Sequence, residues 1–96
     1  MFFAAADQIL NINSHHHTKA VVIRMRSVPA IDASAMKSLH ELSNRAKRKN
    51  ITLIFSHVNE QPMHVMEKDG FIELVGKENF HENIVDALDY AEELVR

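Results

Sequence analysis

Apolar residues run almost without interruption from Ala20 to Met25 and again from Ile51 to Phe55, and β-branched side chains are frequent in both runs. Short continuous runs of this kind predict strands buried on both faces. Between them, Met36, Leu39, Leu42 and Ala46 recur at three- and four-residue steps, which predicts a helix from Ser34 to Lys49. Arg45, Lys47, Arg48 and Lys49 crowd its last turn, where cations complement the dipole, and Asn50 is a natural stop. Pro62 suits the first turn of a further helix through Met63, Val65 and Met66, and Gly70 suits a left-handed C-terminal position. Phe71 to Val75 reads as a short strand or extended segment. The final helix is predicted from about Glu82 to Val95, with Ile84, Ala87, Leu88, Ala91 and Leu94 on one face. At the other end, Ala4 to about Ile12 has helix-forming composition with Ile9 and Ile12 on one face, and Asn13, Ser14 and His15 to Thr18 form a polar break. Strands alternating with helices across short connections predict an α/β domain with a small, mostly parallel sheet and about four helices.

Ninety-six residues make one domain, and 46% hydrophobic with 25% charged residues is enough apolar material for a packed core. A formal net charge of −2 leaves no broad electrostatic footprint for nucleic acid or an anionic membrane. The absence of cysteine excludes disulfides, thiolate metal sites and cysteine nucleophiles. No apolar run reaches the roughly 18 residues that a membrane span requires. Met1 to Asp7 lacks the basic start of a signal peptide, and its apolar part is too short. Phe2-Phe3 reads as the tail of a buried strand that begins upstream, which makes the chain an expected piece of a longer protein.

The chemistry concentrates in Val28-Pro29-Ala30-Ile31-Asp32-Ala33-Ser34, a Pro-marked turn opening a helix. A hydroxyl at a helix start meets free N–H groups and the positive end of the dipole, so Ser34 suits an N-cap, an anion site or a phosphorylation site. The cap is the expectation that rests on residue preference alone, with Asp32 satisfying backbone donors in the turn. His15, His16 and His17 are consecutive, do not share a face and have no acidic ligand nearby, so they read as an exposed polar loop and not a metal site. His40, His57, His64 and His81 are scattered, with nothing in the sequence to give them a shared task. The basic helix end reads as a solvated, dipole-compatible terminus, contact with anionic lipid headgroups or with acidic loops of a membrane domain being the alternative. Ser34 has no histidine at a spacing that would activate it. The only glycines, Gly70 and Gly76, form no phosphate-binding loop. No catalytic residue, metal or cofactor is therefore expected.

In order and spacing these segments resemble a STAS domain, the module shared by SulP-type anion transporters and bacterial anti-sigma-factor antagonists. Phe2-Phe3-Ala4-Ala5-Ala6 is similar to the transporter-type segment that leads from the first strand into the first helix. Val28-Pro29-Ala30-Ile31-Asp32-Ala33-Ser34 resembles the family's Val-Pro-x-Ile-Asp-x-Ser/Thr-Gly turn, with Ala35 in the place of the glycine. Ile51 to Val58, Met66 to Phe71, and Asn79-Phe80 followed by Ile84-Val85-Asp86-Ala87-Leu88 are similar to the segments that follow. The resemblance implies a STAS fold with a truncated first strand and a regulatory, protein-interaction role on the cytoplasmic face of the membrane. It implies coupling to uptake of sulfate or another small anion, with the membrane domain of the same chain as partner and a regulatory protein or a nucleotide as others. It marks Asp32 and Ser34 as interaction or phosphorylation positions and Ser34 and Ala35 as anion or nucleotide contacts. The alternative that it carries is a stand-alone antagonist switched by phosphorylation of Ser34.

Overall fold

The computed structural model describes residues 8–14 and 17–95. Strands β1 (Gln8–Ser14), β2 (His17–Arg24), β3 (Thr52–Ser56) and β4 (Phe80–His81) lie side by side in that order. β2, β3 and β4 are mutually parallel, with Val22 opposite Ile54 and Phe55 opposite Phe80. Helix α1 (Ala33–Arg48) makes the crossover from β2 to β3. Helices α2 (Glu60–Asp69) and α3 (Phe71–Val75) and a 3₁₀ turn at Lys77–Asn79 connect β3 to β4, and α4 (Ile84–Val95) closes the chain.

The alternation of side chains along β2 and β3 divides the core into two layers. Ile23, Met25, Leu53 and Phe55 belong to one cluster with Met36, Leu39 and Ala46 of α1, Met66 of α2 and Phe71 of α3. Ala20, Val22 and Ile54 belong to the other, against Ala87 and Ala91 of α4. Both central strands are thus buried on both faces, as their continuous apolar runs predict. Phe55 anchors the larger cluster, with Phe80 stacked on it at 4.9 Å and Phe71 edge-on at 5.8 Å.

Four expectations are corrected. Gln8 to Ile12 is not helical but pairs antiparallel with β2, from Gln8 opposite Arg24 to Ser14 opposite His17. Ile9, Asn11, Ile12 and Asn13 are all weaker helix formers than the alanines before them, and the ladder satisfies their backbone groups. The expected polar break is corrected at Asn13, Ser14, His17 and Thr18, which pair in the β1–β2 ladder; residues 15–16, like Phe2-Phe3 and Ala4 to Asp7, lie outside the described residues. Phe71 to Val75 is helical: Gly70, at φ 88°, turns the chain through the left-handed region, and the Leu74 N–H donates to the Gly70 carbonyl at 3.1 Å. Leu94 is 44% exposed, while Val95 packs against the α4 cluster in its place.

Candidate functional site

The segment from β2 into α1 is short, irregular and held at many points. Its backbone turns on a Val28 N–H to Met25 carbonyl bond of 3.0 Å, and the Met25 N–H donates to the Ser56 carbonyl at 3.0 Å. Val28 and Ile31 are buried while Pro29 and Ala30 are exposed, so the turn is pinned by its two apolar ends. Asp32 is the N-cap of α1 in extended backbone, and its Oδ1 accepts the Ala35 N–H at 2.9 Å. Ile31 before the cap and Met36 in the first turn are buried in one cluster, the arrangement of a hydrophobic staple.

Ser34 is therefore not the cap. It is the second residue of the helix, and it is exposed. Asp and Ser are both strong N-cap formers, and sequence preference alone does not choose between them. Burial of Ile31 chooses, because it brings the chain into the helix one residue later, at Asp32. Ala35 is half-buried against the core, and its N–H is committed to the Asp32 carboxylate. An anion approaching this helix start would share the turn with that carboxylate.

Two residues absent from the sequence expectations build the rest of the site. The side-chain amide of Asn59, the residue capping α2, shares its donors among the carbonyls of Val28 at 2.8 Å, Arg26 at 3.0 Å and Met25 at 3.4 Å. Gln61 grips Ile31 at both backbone groups, accepting its N–H at 2.8 Å and donating to its carbonyl at 3.2 Å. No motif spacing announces them, since the partners lie thirty residues or more away in sequence. The only available signal is two side-chain amides at the start of a helix that follows a buried strand.

Below this clamp, α1 and α2 enclose an open cleft of about 470 Å³, lined by Asp32, Met36, Lys37, His40, Val65 and Asp69 among others. His40 Nε2 lies 2.6 Å from Asp69 Oδ2, and its ring meets Phe71 edge-on at 5.2 Å, so the pair ties α1 to the end of α2 across the cleft floor. The surface thus offers the exposed Ser34 hydroxyl, the Asp32 carboxylate, the Lys37 cation and an apolar strip. It holds no activated nucleophile. It is suited to binding.

A second depression, about 210 Å³, opens at the carboxyl ends of β3 and β4 and is lined by His57, Val58, Met63, Phe80, His81 and Glu82. The two histidines that look unrelated in sequence meet here because β3 and β4 are neighbours, with the His57 N–H donating to the His81 carbonyl at 2.9 Å. The His81 ring packs on Tyr90 at 4.7 Å. Burial, and next the negative charge of Glu78, raise the Tyr90 phenol above its usual pKa of 10.0. Among the described residues, no group of three or more His, Asp or Glu side chains is arranged to hold a metal ion, and His15 and His16 lie outside those residues. No helix among them is long and apolar enough to cross a membrane.

A mostly parallel sheet with a clamped β2–α1 turn, an Asp-capped helix and an exposed serine in its first turn describes a small α/β domain. The chain belongs to the STAS domain family, whose model matches residues 1–87. It is 37% identical over 68 residues to "Sulfate transporter 4.1, chloroplastic" of Arabidopsis thaliana, covering 71% of this chain and 10% of that protein. "Sulfate transporter 3.2" of the same plant is 29% identical over the same length and with the same coverage. The chain spans about a tenth of the length of these relatives. Among solved structures, a sulfate transporter family protein from Wolinella succinogenes superposes with a TM-score of 0.79 at 34% identity, covering 85% of this chain and 67% of that one.

Proposed function

We propose that this STAS domain is the regulatory, protein-interaction module of a SulP-type transporter for sulfate or another small anion. It acts from the cytoplasmic face of the membrane and has no catalytic role of its own. The observation that carries this is the similarity to proteins named as sulfate transporters, of which the matched segment is a small part. The α1 N-terminus fits the role physically. Asn59 and Gln61 hold the turn in one conformation, so a partner meets Asp32, Ser34 and Lys37 with little ordering left to do. The membrane domain of the same protein is the first partner of this surface, and a regulatory protein or nucleotide reaching Ser34 and Ala35 is the second.

The test is sulfate uptake by cells carrying the full-length protein with and without this domain, normalised to the amount in the membrane. Uptake that falls while the membrane portion is retained supports a regulatory module. Unchanged uptake removes it.

A further inference from the structure

The opposite end of α1 carries a second surface. Arg45, Lys47 and Arg48 form its last turn and Lys49 its C-cap, and all four are exposed. The chain then reverses at once: Asn50 sits at φ 58° and the Ile51 N–H donates back to the Ala46 carbonyl at 2.8 Å. This places the cations at the end of the sheet where β3 begins. Exposed Lys19 lies toward the same end, because its neighbour Ala20 pairs with Thr52 there. Five of the eleven Lys and Arg residues thus lie toward one end of the sheet in a chain whose net charge is −2. None of the five has an ion-pair partner among the described residues. Asp86, Asp89, Glu92 and Glu93 are exposed on α4, which packs on the other face of the sheet. Glu41 on α1 and Glu73 and Glu78 beside Leu74 and Asn79 are exposed as well, so the basic group is a local concentration at the end of α1.

Apolar surface adjoins the cations. Lys47 lines a shallow depression of about 170 Å³ together with Ile51, Leu74 and Val75, and Leu74 is 42% exposed. We infer that this basic end of α1 docks on the anionic phospholipid surface of a membrane. A compact group of exposed cations beside an exposed leucine matches a surface that offers anionic headgroups above apolar acyl chains, whereas an acidic protein segment would leave Leu74 without a counterpart. Lys47 engages headgroup phosphate while Leu74 reaches the boundary between headgroup and acyl chain. The inference rests on the transporter proposal only in needing a membrane nearby. Loss of vesicle binding would remove this surface and leave the uptake test untouched.

The experiment is co-sedimentation of this chain with vesicles of phosphatidylcholine alone and of phosphatidylcholine mixed in equal parts with phosphatidylglycerol. Binding is expected to the mixed vesicles only, and to weaken as ionic strength rises from about 0.1 M to about 1 M, where the screening length falls from about 10 Å to about 3 Å. Each cation near such a surface adds about fivefold to binding, so R48A/K49A is expected to bind roughly 25-fold more weakly. R26A/K68A makes the same change in net charge elsewhere and is expected to bind like wild type. Equal loss in both double variants, equal binding to both vesicle types, or no binding to either overturns the inference. Binding to a polyglutamate peptide without binding to vesicles assigns the cluster to an acidic protein segment and overturns it as well.

Discussion

Gln61 meets the backbone of Ile31 twice, accepting its N–H at 2.8 Å and returning a donor to its carbonyl at 3.2 Å. One side chain from α2 therefore satisfies both backbone groups of Ile31, which lies beyond the end of β2 and has no ladder partner among the described residues. Ile31 is buried, so these backbone groups have no easy recourse to water, and an unsatisfied buried polar group costs about 1–3 kcal/mol. Gln61→Ala should lower unfolding free energy by that amount in urea titrations. Gln61→Glu, which keeps the acceptor and loses the donor, should retain part of it. Lys68→Ala on the exposed side of the same helix should stay within about 0.5 kcal/mol of wild type. If Gln61→Ala also stays there, the clamp contributes nothing to the fold.

The assignment of the helix cap has its own test. Asp32→Ala removes the acceptor for the Ala35 N–H and should cost about 0.5–2 kcal/mol. Ser34→Ala removes an exposed hydroxyl inside the first turn and should remain within about 0.5 kcal/mol. A larger loss at Ser34 than at Asp32 would move the helix start two residues on.

Much of the fold is legible in the sequence because burial imposes periodicity. Leu39, at 1% exposure, and Met36, Ala46, Val22 and Ile54 all sit where spacing or continuous apolar runs put them. Gly70 is readable for a different reason, since a glycine just after a helical pattern suits the left-handed region, at φ 88°, that ends the helix. Where the signal is short it fails. Five residues from Phe71 to Val75 satisfy strand or helix equally well in composition, and tertiary packing of Phe71 against Phe55 decides. The turn at Asp32 is readable as a site, because cap formers and proline cluster there. Its clamp is not readable, because Asn59 and Gln61 reach it only through the adjacency of α2 and the β2–α1 segment. The meeting of His57 and His81 is hidden in the same way, by a strand order that no local pattern encodes.

Tyr90, the single tyrosine, provides a pH test. Burial and the Glu78 charge favour its neutral form in the folded protein, raising its pKa above 10.0. The folded state therefore holds the phenolic proton more tightly than the unfolded chain does. The stability linked to it is complete below pH 10.0 and is lost as pH rises through the raised folded value. An ultraviolet titration should place the phenolate midpoint above 10.0 in native protein and back at 10.0 in denaturant. Coincident midpoints would mean that Tyr90 is solvated, and Tyr90→Phe would then leave the alkaline stability profile unchanged.

The central claim is that the start of α1 is a regulatory contact surface of the proposed transporter, and Ser34→Asp in the full-length protein tests it most directly. An acidic side chain in the first helical turn is favoured by the dipole by about 0.3–1 kcal/mol, so the domain should fold and its melting point should barely move. The same charge doubles the negative charge at an exposed turn already holding Asp32, which alters electrostatic complementarity with any partner seated there. Sulfate uptake, normalised to the amount of the protein in the membrane, is predicted to fall well below wild type. Wild-type uptake by a stably folded Ser34→Asp protein would contradict the account and leave Ser34 as an ordinary surface residue.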